Sequence, residues 1–163
     1  MQLAADKKNV NPLTSYYVPV QSETNMRGER PSSSGGQVVL IIDDDDAIRA
    51  LSQCVIQRAG FEVLTARDGP EGIECFRKES ARIGLVLLDL TMPRMTGGEV
   101  ISALATLRIN VPVVLITGYG EEAVRDDERA GVAGLLQKPF TPEDLRGLLA
   151  RYLKPVVAPR ISA

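Results

Sequence analysis

Four consecutive aspartates, Asp43-Asp44-Asp45-Asp46, close the apolar run Val38-Val39-Leu40-Ile41-Ile42. A buried strand that simply turned would not stack like charges where they repel one another. Open α/β sheets, by contrast, build their ligand sites at the carboxyl ends of strands. Two further strand-like runs end in matching chemistry. Leu85-Val86-Leu87-Leu88 leads into Asp89, and Leu135-Leu136-Gln137 leads into Lys138-Pro139. Carboxylates at Asp43, Asp44 and Asp89 with the ammonium of Lys138 point to metal-assisted chemistry on a phosphoryl group, because hard oxygen donors suit a divalent cation and a fixed cation suits phosphate charge.

The elements that must hold these groups follow from the hydrophobic pattern. Val38 to Ile42 shows no polar alternation, as expected of a strand covered on both faces. Asp46 to Ala59 places Ile48, Leu51, Val55 and Ala59 at helical spacing, with Asp46 as N-cap and Gly60 as the stop. Phe61 to Thr65 reads as a strand, Pro70 to Glu79 as a helix with Ile73 and Phe76 on one face, and Leu85 to Leu88 as the third strand. Gly98 to Leu107 forms a helix with Val100, Ile101, Leu104 and Leu107 inward, and Val113 to Ile116 the fourth strand. Glu121 to Ala130 is a charged helix and Leu135 to Gln137 the fifth strand. Thr141-Pro142-Glu143-Asp144 supplies an N-cap, a first-turn proline and acidic residues for a last helix whose apolar face is Leu145, Leu148, Leu149 and Tyr152. Five strands alternating with five helices require a doubly wound parallel sheet with right-handed crossovers.

Residues 1–36 are polar and irregular, with Pro12, Pro19, Pro31 and a Ser32-Ser33-Ser34-Gly35-Gly36 stretch. They read as a flexible tail and linker, apart from a strand-like piece at Thr14 to Val20. The regular domain spans 37–153, and 154–163 is a C-terminal tail. The chain of 163 residues carries 19 basic and 21 acidic residues, a net charge of -2. This balance gives no basic surface for nucleic acid and no patch for a membrane. No apolar run approaches the roughly 18 residues of a membrane span, and no secretory leader is visible. Cys54 and Cys75 lack metal or redox spacing and read as reduced thiols of a cytoplasmic protein. The chain has no histidine, which excludes Ser-His hydrolysis, most zinc sites and any role as a histidine phosphodonor.

Taken in order, Ile41-Ile42-Asp43-Asp44-Asp45-Asp46-Ala47-Ile48-Arg49, Leu87-Leu88-Asp89-Leu90-Thr91-Met92-Pro93, Val114-Leu115-Ile116-Thr117-Gly118 and Leu136-Gln137-Lys138-Pro139-Phe140 resemble a two-component receiver domain from Gln37 to about Leu153. The resemblance implies a flavodoxin-like sheet of order 2-1-3-4-5. It implies that Asp43 and Asp44 hold Mg2+ together with Asp89 and the Thr91 carbonyl. Asp89 is then the phosphoacceptor, attacking a phosphohistidine and becoming an acyl phosphate. Thr117 bonds a phosphoryl oxygen, and Lys138 pairs with the carboxylates and then with the phosphoryl group. The implied cofactor is Mg2+, and the implied partner is a histidine kinase or histidine phosphotransfer protein. The helix from Glu121, the fifth strand and the helix from Pro142 become the homodimer or partner face. Without the resemblance, the same residues read as a charge run capping a helix, a turn aspartate, a strand-end threonine and a surface lysine.

Two departures carry consequences. The position three before the lysine, aromatic in most receivers, is Leu135, so signalling through a swinging ring is not expected. Tyr119, two after Thr117, reads either as a partial shield of the acyl phosphate or as a half-exposed loop aromatic. No output domain is expected after the last helix, and the signal is expected to leave by protein contact or onward phosphotransfer. The strand-like Thr14 to Val20 followed by a Ser/Gly linker resembles the end of a kinase ATP-binding domain, and the resemblance implies a chain that is, or descends from, the excised C-terminal receiver of a hybrid histidine kinase. Two other functions fit part of the pattern. A small Mg2+-dependent phosphatase or phosphotransferase would want a second acid where Thr91 stands. An unphosphorylated pseudo-receiver would have lost one of the acids or the lysine.

Overall fold

The computed structural model describes residues 38–107, 110–118 and 124–154. Thr14 to Val20, Tyr119, the N-terminal tail and residues 155–163 lie outside them. The chain alternates strand and helix: β1 (Val38–Ile42), α1 (Asp46–Arg58), β2 (Glu62–Ala66), α2 (Gly69–Glu79), β3 (Ile83–Asp89), α3 (Gly97–Thr106), β4 (Val113–Thr117), α4 (Asp126–Ala130), β5 (Gly134–Gln137) and α5 (Pro142–Tyr152). All strand pairs are parallel, in the order β2-β1-β3-β4-β5. This is the flavodoxin-like, doubly wound sheet.

The lack of alternation in β1 has a direct cause. Val38, Leu40 and Ile42 enter one layer with Ile73 and Phe76 of α2 and Val100 and Leu104 of α3. Val39 and Ile41 enter the other with Val55 and Ile56 of α1 and Leu145 and Leu149 of α5. Each such side chain contributes about 1.5–3 kcal/mol on full burial, so both faces of the central strands are fixed. At Gly72 of α2 an added Cβ would come 2.4 Å from Ile42 Cδ1, so this seating of α2 on β1 needs glycine.

Two expectations at the element level are corrected. Asp45, not Asp46, is the N-cap of α1: its Oδ1 accepts from the Ala47 N–H at 2.8 Å and the Ile48 N–H at 3.1 Å. Neighbouring aspartates offer the same cap chemistry, and the point where β1 leaves the sheet decides between them. Leu51 is 41% exposed, because the buried seam of α1 runs through Ser52, Val55 and Ile56. The fourth helix runs from Asp126 to Ala130 among the described residues; its expected start at Glu121 lies outside them. The C-terminal helix starts as its sequence implied. Thr141 Oγ1 accepts from the Asp144 N–H at 3.2 Å, and the Thr141 N–H donates to Asp144 Oδ2 at 2.8 Å, forming a reciprocal capping box.

Candidate functional site

The sheet register brings the chemistry together. Ile42 lies beside Leu88, so Asp43 and Asp89 emerge from adjacent central strands. Thr117 ends β4 beside Gln137 of β5. The Lys138 N–H donates to the Thr117 carbonyl at 2.7 Å, which anchors the lysine backbone at the same sheet end. The Lys138–Pro139 peptide bond is cis.

Asp43 is 0% exposed and Asp89 5%. Buried carboxylates need partners, because an unpaired buried charge costs several kcal/mol. Lys138 Nζ supplies one to each, at 3.0 Å from Asp43 Oδ2 and 3.2 Å from Asp89 Oδ2. The second oxygen of Asp43 accepts from the Asp45 N–H at 2.9 Å. The Asp43 carbonyl accepts from Arg49 Nη1 at 2.5 Å, and the same guanidinium pairs with Asp46. Asp43 is therefore held on both oxygens and on its backbone. Asp89 is held less tightly: its Oδ1 accepts only a long bond, 3.3 Å, from the Thr91 N–H. That is the longest of the hydrogen bonds to the four carboxylate oxygens of the pair.

The electrostatics match this asymmetry. Burial pushes the Asp89 carboxyl above its ordinary value and the Asp43 charge adds to it, while Lys138 and the Thr91 N–H pull the other way. Burial alone would lower the Lys138 ammonium. Its hydrogen bond to Asp43 and the charges of Asp89 and Asp43 outweigh that and leave it raised. The N–H groups of Ile48 and Ala47 lower the Asp45 carboxyl, as its cap role requires.

Asp43, Asp44 and Asp89 each offer a carboxylate oxygen, and these atoms lie within 4.8 Å of one another. Three oxygen donors, one of them weakly engaged, fit a hard cation such as Mg2+, which takes few carboxylates and keeps waters. Thr117 is fully buried at its strand end, Gly118 after it is open to added bulk, and Thr91 lies exposed in the loop after Asp89. Leu135 packs against the core layer that includes α3. The Tyr152 hydroxyl donates to the Ala133 carbonyl at 2.7 Å, tying α5 to the start of β5. All the expected site residues thus lie at the carboxyl end of the sheet. The sequence reading missed the hold of Arg49 on the Asp43 carbonyl. The spacing of Asp46 and Arg49 forecasts an ion pair on one helix face, but nothing local forecasts the backbone contact.

A doubly wound sheet with an acid cluster and one lysine at the carboxyl ends of β1, β3 and β5 defines a receiver-type signalling domain. Residues 39–150 match the response regulator receiver domain, and the chain belongs to that family, the receivers of two-component systems. It is 31% identical over 107 residues to sporulation initiation phosphotransferase F of Bacillus subtilis, covering 65% of this chain and 85% of that protein. It is 35% identical over 113 residues to Ethylene receptor 2 of Oryza sativa subsp. japonica, covering 67% of this chain but 15% of the receptor. The chain spans just under half of two transcriptional regulators it also matches, 48% and 45% of their lengths. Among solved structures, the chemotaxis protein CheY4 of Vibrio cholerae superposes with a TM-score of 0.66 at 33% identity, covering 73% of this chain and all (100%) of that one. The CheY of a Borrelia burgdorferi CheX-CheY-BeF3-Mg2+ complex matches with a TM-score of 0.63 at 28% identity, over 72% of this chain and 90% of that one. No helix among the described residues is long and apolar enough to cross a membrane.

Proposed function

We propose that this chain accepts a phosphoryl group on Asp89 from a phosphohistidine of a histidine kinase or histidine phosphotransfer protein, and signals by protein contact or by passing the group on. The observation that carries the reading is the contrast between the two buried acids: Asp43 has a partner at 2.9 Å and at 3.0 Å on its two oxygens, whereas Asp89 keeps one oxygen on a 3.3 Å bond. That oxygen attacks phosphorus in line with the donor imidazole. The new O–P bond forms as the N–P bond breaks, and the electron pair of that bond returns to the imidazole nitrogen. Lys138 shifts from the carboxylates to a phosphoryl oxygen, and the Thr117 hydroxyl donates to another. Mg2+ held by Asp43, Asp44, Asp89 and the Thr91 carbonyl would supply charge neutralisation at the phosphoryl oxygens.

The domain limits at 37 and 153 with tails on either side, a cytoplasmic setting, and a pairing face on α4, β5 and α5 belong to the same proposal. So does kinship with hybrid kinases, which the match to a 15% segment of the rice receptor supports. The Borrelia complex, whose CheY is accompanied by BeF3 and Mg2+, supports the metal and phosphoryl assignment by likeness. The test is incubation with acetyl phosphate and Mg2+ followed by intact mass. A gain of about 80 Da, absent in Asp89→Ala and without metal, is expected for one phosphate. No adduct from either acetyl phosphate or a phosphorylated histidine donor would overturn the reading.

A further inference from the structure

The loop after Asp89 has a second anchor, which the phosphoacceptor chemistry leaves unused. Arg94 has φ 72° and is the one non-glycine residue with positive φ among the described residues. A side chain with a Cβ enters that left-handed region only when its surroundings hold it there. The hold comes from α2. Arg94 Nη1 donates to Asp68 Oδ2 at 2.8 Å. Asp68 is only 9% exposed, and its other oxygen accepts from the Glu71 N–H at 2.9 Å as the N-cap of α2. The acceptor is therefore fixed before Arg94 reaches it.

A second, apolar contact joins the same two loops. Met95 lies against Gly69, where an added Cβ would come within 2.9 Å of Met95 Cβ and Sδ. At its other end the loop is closed by the Gly97 N–H donating to the Leu90 carbonyl at 3.0 Å. Thr91 is thus bracketed by two fixed points. The Arg94 side chain is 70% exposed, and an ion pair that exposed adds little to global stability. Its effect is local: it fixes where the loop runs.

We propose that Arg94 is a positioning residue whose pair with Asp68 holds the 91–96 loop closed, and so sets the affinity of the Asp43–Asp44–Asp89 cluster for Mg2+ through Thr91. The consequence for the metal rests on the phosphoacceptor reading; the clamp itself does not.

Three variants of the full chain separate the two. Asp68→Asn keeps a capping oxygen but loses the charge, Arg94→Gly removes the pair and the backbone strain together, and Arg94→Lys keeps a cation. Amide exchange at Met95 and Gly97 is expected to quicken about two- to fivefold in the first two, with β1 and β4 unchanged. The Mg2+ dissociation constant from calorimetry is expected to rise about two- to fivefold in the same two and to stay near wild type in Arg94→Lys. The metal-free unfolding midpoint should barely move. Phosphorylation by acetyl phosphate should return to the wild-type rate at saturating Mg2+.

Unchanged exchange would refute the clamp. Faster exchange with an unchanged Mg2+ constant would refute its link to the site. If Asp68→Asn lowers the unfolding midpoint, Arg94→Gly, which leaves the α2 cap untouched, decides. A wild-type chain that binds no Mg2+ would overturn the phosphoacceptor reading and with it the metal link, while the exchange rates still judge the clamp.

Discussion

Replacing Lys138 by methionine keeps the length of the side chain and removes its charge. The ammonium lies 3.0 Å from Asp43 and 3.2 Å from Asp89, with both carboxylates buried. At an effective dielectric of about 20, each contact carries roughly 5 kcal/mol of gross attraction. Part of that is offset by the cost of burying the ammonium, so the net loss on removing one partner of a buried cluster is about 3–5 kcal/mol. For a domain of this size that lowers the melting temperature by roughly 10–20 °C.

The loss has a pH signature. Burial, helped by Asp43, already lifts the Asp89 carboxyl, and Lys138 restrains it; without the lysine it rises further. A carboxyl raised in the folded chain binds its proton more tightly there than in the unfolded chain. Stability therefore increases as pH falls through the raised folded value toward the ordinary carboxylate range. In metal-free buffer the deficit of Lys138→Met should shrink steadily as pH falls from 7 into that range. Millimolar Mg2+ should recover part of it at neutral pH by replacing the missing cation. Denaturant unfolding across pH measures both effects. A deficit below about 1 kcal/mol at neutral pH, or one that does not shrink with acid, would refute the view that these carboxylates depend on the lysine.

Two further changes test the packing. The Ser52 hydroxyl is fully buried with no hydrogen-bond partner, so Ser52→Ala should stabilise the domain by about 1 kcal/mol, read as a higher denaturant midpoint with unchanged slope. In Gly72→Ala the new methyl would meet Ile42 Cδ1 at 2.4 Å, and the overpacking should cost about 1–3 kcal/mol in the same assay; a neutral result would mean that Ile42 can turn aside within its layer.

The parallel sheet, its four crossovers and the strand ends bearing Asp43, Asp44, Asp89 and Lys138 are legible in the sequence, because uninterrupted apolar runs alternating with helical periodicity leave few other ways to bury both strand faces. The capping of α5 by Thr141 is equally local and reads directly from Thr141-Pro142-Glu143-Asp144. The N-cap of α1 is not, since Asp45 and Asp46 differ only in where β1 releases the chain. Leu51 was misplaced for a related reason: helical spacing gives a stripe but not its rotation about the helix axis, which α5 and the sheet decide. Only the tertiary structure shows that Asp43 has a close partner on each carboxylate oxygen while Asp89 holds one oxygen by a long bond, because those bonds arrive from Lys138, Asp45 and Thr91 at different sequence separations. The same holds for Arg94 and Asp68, which stand 26 residues apart. Residue types at strand ends are written in the sequence, whereas the order in which they satisfy one another depends on through-space distances that folding alone creates.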